Sequence, residues 1–122
     1  MPRVCHFEIP ADEPEKVASF YEKTFGWSFS KWDGPVEYWL VTTGDDSQPG
    51  INGGLMRRQQ PGQPVVNTID VPSVDAHIAK ITGAGGEIVV PKMAIPGVGW
   101  LAYFKDPAGN IFGIMEEDAA AA

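Results

Sequence analysis

The chain has 122 residues, of which nine are Lys or Arg and sixteen are Asp or Glu, so its net charge at pH 7 is −7. This acidic balance speaks against nucleic acids and anionic membranes as partners, because both favour clustered Lys and Arg. The hydrophobic content of 43% is sufficient for a folded core. A chain of this length typically forms one domain and buries roughly two-thirds of its unfolded surface.

Cysteine content and hydropathy indicate the compartment. The single cysteine, Cys5, excludes an internal disulfide and gives no sign of an oxidising environment. No basic N-terminal patch precedes an apolar stretch, so no signal peptide is predicted. No run approaches the ~18 apolar residues of a membrane-spanning helix. We therefore expect a cytoplasmic protein. Cys5 faces opposite to His6 on its strand and is expected to pack beneath a helix.

The first half of the chain is predicted to contain one helix and four strands. A strand at 4–9 stops at Pro10. Asp12 is a candidate N-cap for a helix that carries an apolar stripe and ends at Gly26, where glycine favours a left-handed cap. The three further strands are predicted at 27–32, 36–43 and 51–57.

The same order of elements recurs in the second half, after a linker at 59–64 that contains two prolines. A strand at 65–71 leads to a helix that is capped by Ser73 and ended by Gly83, Gly85 and Gly86. The remaining strands are predicted at 87–90, 98–105 and 110–115.

Short similar stretches support an internal duplication. Trp39 recurs as Trp100, 61 residues further on, and Met56 recurs as Met115, 59 residues further on. We therefore predict an α+β fold of two βαβββ modules with pseudo-twofold symmetry, in which cupped sheets enclose a cleft and the helices lie outside. The single domain divides into module 1 (1–58), the linker (59–64), module 2 (65–116) and a frayed tail (117–122).

Two motifs carry a resemblance to a known family. The first strand, Cys5-His6-Phe7-Glu8-Ile9, leads into a helix that contains Phe20-Tyr21 and is followed by Gly26. The turn Asp106-Pro107-Ala108-Gly109-Asn110 precedes the last strand. Together they resemble the vicinal oxygen chelate superfamily of glyoxalases, bleomycin-resistance proteins and extradiol dioxygenases. The resemblance implies the two-module fold and, in the family's enzymes, a divalent metal held between the modules.

The ligand positions implied by the resemblance are mostly lost in this chain. His6 falls on the first ligand position, whereas Gly54 and Gly113 fall on the two carboxylate positions. The remaining position is Val66 by strand alternation, or Asn67 by counting back from the helix cap. His6 is therefore the only matching ligand, and no conventional metal or other cofactor is predicted. A weak divalent metal completed by water or substrate is the alternative.

The candidate binding residues are those expected to face the cleft. His6 and Glu8 lie two residues apart on one strand and so share a face, as a polar anchor or as a base with its orienting carboxylate. The alternative for this pair is a structural hydrogen bond, and His77 is expected on the surface. The full candidate set is His6, Glu8, Met56, Met115, Trp39, Trp100, Gly54 and Gly113, with core packing as the alternative for the tryptophans, whose strand phase is open.

Two functional hypotheses of different class follow. The first is a metal-free module that binds a small apolar or aromatic molecule in the cleft, as the resistance proteins of the superfamily that the chain resembles do. The second is a glyoxalase-like lyase or isomerase, or a dioxygenase, that uses His6. No catalytic residue is assigned, and whether the chain is an enzyme is left open. A homodimer is expected by analogy with the superfamily.

Overall fold

A computed structural model describes all 122 residues. It contains two helices and eight strands and is an α+β fold. The first helix follows the first strand, and the second helix follows the fifth strand. In chain order the elements are β1 (Arg3–Ala11), α1 (Pro14–Phe25), β2 (Ser28–Lys31), β3 (Tyr38–Thr42), β4 (Asn52–Arg57), β5 (Val66–Asp70), α2 (Val74–Gly83), β6 (Glu87–Ile95), β7 (Gly99–Lys105) and β8 (Ile111–Glu117).

The chain divides into two compact units with the same internal topology. One unit comprises residues 6–65, and its strands lie in the order β2-β3-β4-β1, with β1 parallel to β4. The other comprises residues 1–5 and 66–122, and its strands lie in the order β6-β7-β8-β5, with β5 parallel to β8. All other pairs within each unit are antiparallel. The predicted pair of βαβββ modules is therefore confirmed.

Each module has its own hydrophobic core beneath its helix. In the first module, Phe7 and Ile9 of β1 pack against this core, whereas His6 and Glu8 reach Tyr38 instead, as the strand alternation predicts. The buried residues of this core are Ala11, Ala18, Val41 and Leu55. Those of the second core are Val71, Val74, Ala102 and Ile114.

The helix ends match the sequence predictions with one exception. Ser73 caps α2, because its hydroxyl accepts a hydrogen bond from the backbone N–H of Ala76. Gly26 ends α1 in the left-handed conformation at φ 73°, which glycine adopts without steric cost. The prediction that Asp12 caps α1 was wrong: the capping position is Glu13, and no side chain caps this end.

Strand β6 is longer than the sequence predicted. It extends through Pro91 to Ile95, although proline usually ends a strand. Two features explain this: β6 is an edge strand, and its pairing with β7 shifts between Val90 and Met93. Proline lacks a backbone N–H, so it is tolerated at an edge or in an irregularity of this kind.

The C-terminal tail is anchored rather than frayed. Ala121 is buried, and its carbonyl accepts a hydrogen bond from the backbone N–H of Gly97. The indole N–H of Trp100 donates to the carboxylate of Asp118 at 3.0 Å. The sequence composition suggested fraying because it contains no sign of these contacts with residues outside the tail.

The turn before β8 explains the second family motif. The Asp106 carboxylate accepts hydrogen bonds from the backbone N–H groups of Ala108 and Asn110 and from the Asn110 side chain. The bonds from Asn110 and the backbone lower the pKa of Asp106. Gly109 adopts φ 87°, a conformation that suits glycine. The motif is thus a structural turn that leads the chain into β8.

Leucine-to-alanine substitutions test the first core. Leu55 is completely buried, so Leu55→Ala should lower the free energy of unfolding by about 2–5 kcal/mol through lost burial and a residual cavity. Leu40, 45% exposed on the adjacent strand, is the matched control and should cost much less. Chemical denaturation measures both. Equal losses would contradict the assignment of Leu55 to the core.

Candidate functional site

A tyrosine hydroxyl joins the two predicted polar residues of the first module. Tyr38 begins β3, and its hydroxyl lies 2.7 Å from Nε2 of His6. The same hydroxyl donates a hydrogen bond to Oε2 of Glu8 at 3.2 Å. All three side chains are partly buried. His6 and Glu8 are therefore connected through Tyr38, a residue that no sequence pattern indicated.

The direction of these hydrogen bonds defines the state of His6. Tyr38 has one hydroxyl proton, which it donates to Glu8. When the tyrosine donates to Glu8, its oxygen accepts from the tautomer of His6 that carries a proton on Nε2. Burial of the imidazole lowers the pKa of His6, and the opposing charge of Glu8 raises it less. His6 is thus neutral near pH 7.

Gly54 provides the space that Tyr38 occupies. The parallel pairing of β1 with β4 sets Glu8 beside Gly54, so any side chain at position 54 would share the face of Glu8. A Cβ atom at position 54 would overlap the hydroxyl and ring of Tyr38. The position of Tyr38 therefore requires a glycine at position 54. Gly54 contributes to the site by leaving room for the tyrosine.

The strand registers identify the corresponding residues in the second module. Thr68 pairs with Gly113 as Glu8 pairs with Gly54. Two residues earlier on each strand, Val66 corresponds to His6. Val66 is buried and Asn67 is exposed, which agrees with the alternation argument. The position left open by the sequence therefore belongs to Val66, and the second module has no histidine–carboxylate pair at these positions.

The two tryptophans lie against the helix-side cores rather than on the face of the glycines. Trp39 pairs with Leu55 and packs on the first core, and Trp100 packs on the second. Their assignment as matching positions was wrong. The residue paired with Ile114, the counterpart of Leu55, is Ala102, whereas Trp100 pairs two residues further along β8. Because two residues are one full strand period, both indoles still face a core.

The methionines lie on the faces that the sequence predicted. Met56 follows Gly54 by two residues on β4, and Met115 follows Gly113 by two on β8, so each shares the face of its glycine. Both are partly buried. The side-chain amide of Gln63 approaches the sulfur of Met56 at 3.9 Å. Met56 therefore lies on the same face of the first module as His6, Tyr38 and Glu8, which together form the Tyr38 site.

Two other residues considered in the sequence lie away from this site. His77 is a half-buried residue of α2 whose Nδ1 lies 3.0 Å from the carbonyl of Ser73, as expected for a surface histidine. Cys5 is exposed, so the prediction that it packs beneath a helix was wrong. Its pKa is raised by desolvation and by the charge of Asp70, which disfavours the reactive thiolate.

The side chains at the implied ligand positions do not fit a divalent metal. Such sites usually take three or more protein ligands. His6 supplies one, but its Nε2 is bonded to Tyr38, and the tyrosine fills the space over Gly54. Positions 66 and 113 hold Val and Gly. No group of three His, Cys, Asp or Glu side chains is arranged to hold a metal.

Comparison with known families agrees with this architecture. The family model of the glyoxalase/bleomycin resistance protein/dioxygenase superfamily matches residues 3–114. The chain belongs to this superfamily.

Among curated proteins, "Putative glyoxylase CFP32" of Mycobacterium tuberculosis is 31% identical over 115 residues, which cover 89% of this chain and 42% of the relative. The anthracycline biosynthesis protein DnrV of Streptomyces peucetius is 26% identical over 127 residues, which cover 91% of this chain and 46% of the relative. The chain thus spans less than half the length of these relatives.

Solved structures share the fold at low sequence identity. A methylmalonyl-CoA epimerase in complex with methylmalonyl-CoA and NH4+ matches with a TM-score of 0.71 and 17% identity, covering 100% of this chain and 99% of that one. The methylmalonyl-CoA epimerase of Mycobacterium tuberculosis matches with a TM-score of 0.69 and 14% identity, covering 94% and 87%. At these identities the likeness concerns the fold alone.

A side chain at position 54 should displace Tyr38. Gly54→Ala is expected to lower the free energy of unfolding by about 1–3 kcal/mol, the typical cost of overpacking. Gly113→Ala is the matched control, because its Cβ would lie 3.1 Å from Oγ1 of Thr68 and 3.3 Å from the Tyr103 ring, a milder crowding. Chemical denaturation measures both, and an equal or larger loss for Gly113→Ala would contradict the overlap.

The lowered pKa of His6 should appear as a dependence of stability on pH. The unfolded chain, with its ordinary histidine pKa of about 6.5, takes up the proton more readily than the folded chain. Stability should therefore fall as the pH drops below about 6.5, until the folded pKa is reached. Denaturation curves at several pH values should show a smaller fall for His6→Gln. Unchanged pH dependence in that variant would contradict the shift.

Proposed function

We propose that this chain binds a small, largely apolar or aromatic molecule at the first-module face where His6, Tyr38 and Glu8 meet, without a resident divalent metal. The observation that carries the proposal is the position of the Tyr38 hydroxyl between Nε2 of His6 and Oε2 of Glu8, over Gly54. The polar groups of this site bond to one another, where the family's enzymes use a cation.

The surroundings of this hydrogen-bonded group suit a small-molecule site. Leu40 pairs with Gly54 and shares its strand face, and Met56 lies two residues further along β4. Binding sites generally combine apolar walls, which provide affinity, with a few polar groups, which orient the ligand. The flexible thioether of Met56 adapts to varied apolar shapes.

The similarity to relatives supports the ligand class in general terms. Two of them are named as anthracycline biosynthesis proteins, and anthracyclines are flat aromatic compounds. The second hypothesis, a glyoxalase-like lyase or isomerase, or a dioxygenase, is favoured by a different observation. Tyr38 links the imidazole of His6 to the carboxylate of Glu8, an arrangement that can relay a proton. The relative named as a glyoxylase agrees with that alternative.

The assembly is proposed by analogy with the superfamily and with small proteins in general. We propose a homodimer, because closed twofold dimers are the commonest assembly of small proteins. Neither helix is long and apolar enough to cross a lipid bilayer.

Ligand screening tests the proposed site. A thermal-shift screen of aromatic acids, small aldehydes and aromatic antibiotics identifies a binder, and titration calorimetry measures its affinity. His6→Ala should weaken binding several-fold, since one lost hydrogen bond costs on the order of 1 kcal/mol. Tyr38→Phe should weaken it by a similar factor, and His77→Ala should leave the affinity unchanged.

Two results would contradict the proposal. Equal effects of His6→Ala and His77→Ala, with both variants folded, would make His6 a structural residue. About one transition metal per purified chain, lost in His6→Ala, would favour the metal-dependent enzyme instead.

A further inference from the structure

We propose that Tyr38 is the residue that excludes metal from this site, and that His6 and Glu8 remain a latent pair of metal ligands beneath it. The inference rests on the metal-free part of the proposed function and names the side chain responsible. It predicts that a divalent-metal site forms when the tyrosine is replaced by a small residue and a carboxylate is placed at position 54.

The geometry around the tyrosine hydroxyl supports this inference. One atom, the Tyr38 oxygen, lies 2.7 Å from Nε2 of His6 and 3.2 Å from Oε2 of Glu8. The same atom occupies the space that the Cβ of residue 54 would need. Three side-chain directions, from positions 6, 8 and 54, therefore converge on the volume that Tyr38 fills.

The backbone maintains this convergence independently of the tyrosine. His6 and Glu8 share one face of β1, and the register that pairs Glu8 with Gly54 directs a side chain at position 54 to the same face. Metal–ligand bonds to histidine and carboxylate are about 2.0–2.2 Å long. Around an ion at the place of the tyrosine oxygen, the distance from His6 would need to shorten by roughly 0.5–0.7 Å and the distance from Glu8 by roughly 1.0–1.2 Å, through side-chain rotation.

Charge also separates the two states of the site. In the native chain Nε2 of His6 is hydrogen-bonded to the tyrosine hydroxyl and is therefore not open to a metal. Loss of Tyr38 removes that partner and leaves Nε2 able to coordinate. A glutamate at position 54 adds a second negative charge beside Glu8, which a divalent cation would neutralise. Tyr38 and a metal ion are therefore mutually exclusive occupants.

The experiment titrates metal-stripped protein with Ni²⁺ in a calorimeter and compares four chains. The unsubstituted chain should show no binding that depends on His6, because Tyr38 fills the site, and the Tyr38→Ala variant should bind only weakly, because His6 and Glu8 alone supply two ligands. Tyr38→Ala/Gly54→Glu should bind about one Ni²⁺ per chain at least tenfold more tightly, equivalent to about 1.4 kcal/mol. Adding His6→Ala to that double variant should abolish the gain. Circular dichroism verifies that each variant is folded.

Specific outcomes overturn the inference. A folded double variant without the gain, or a gain that persists after His6→Ala, would show that positions 6, 8 and 54 do not converge on an ion. In that case the small-molecule proposal would stand. Ni²⁺ bound by the unsubstituted chain through His6 would overturn both proposals.

A second measurement keeps the inference testable if the double variant does not fold. Gly54→Ala should lower the melting temperature in the native background and lower it much less in a Tyr38→Ala background, because the overlapping side chain is then gone. Equal shifts in the two backgrounds would overturn the assignment of that volume to Tyr38.

Discussion

The parallel pairing of β1 with β4 is the constraint on which the site depends. This register sets Glu8 directly beside Gly54, and strand alternation then directs His6 to the same face. Phe7 and Ile9, between and beyond them, are directed to the core under α1. A shift of one residue would exchange the two sets and bury the imidazole and carboxylate in an apolar core, which is costly. Core burial and site geometry therefore enforce the same register.

At the Tyr38 site a phenol hydroxyl joins an imidazole and a carboxylate by hydrogen bonds. A cation would join the imidazole and the carboxylate by charge, whereas here a phenol hydroxyl joins them by accepting from one and donating to the other. This arrangement needs two residues together, a tyrosine at the start of β3 and, on β4, a glycine beneath its hydroxyl. Any side chain at position 54 would overlap Tyr38, and without Tyr38 the glycine would leave an empty space.

The two modules share a topology but differ in chemistry. The first has His6 and Glu8 where the second has Val66 and Thr68. Both retain glycine on the fourth strand of the module, yet for different neighbours, since Gly54 accommodates the end of Tyr38 and Gly113 lies beside Thr68 and Tyr103. The duplicated fold has therefore preserved backbone register while its side chains diverged. At these positions the histidine–carboxylate pair lies in the first module.

The sequence by itself determined the order of the elements, the duplication and the face that His6 and Glu8 share, because hydrophobic periodicity, glycine caps and the Asp106 turn act locally. It placed His6 and Glu8 on one face and matched Gly54 with Gly113, and both predictions agree with the strand registers. It also narrowed the remaining ligand position of the superfamily to two candidates, Val66 and Asn67. These features depend on spacing along one strand or helix, which a linear pattern records.

Only the tertiary structure decided which side chains meet. Tyr38 lies 32 residues from His6, and no local pattern links them. The same reason explains the other differences. Trp39 and Trp100 were matched by sequence similarity, whereas the strand registers place them at different positions. The C-terminal tail is held by contacts with Trp100 and Gly97. Strand β6 continues past Pro91 because its pairing with β7 is irregular. Each depends on a contact between distant segments, which forms only when the sheet of a module assembles.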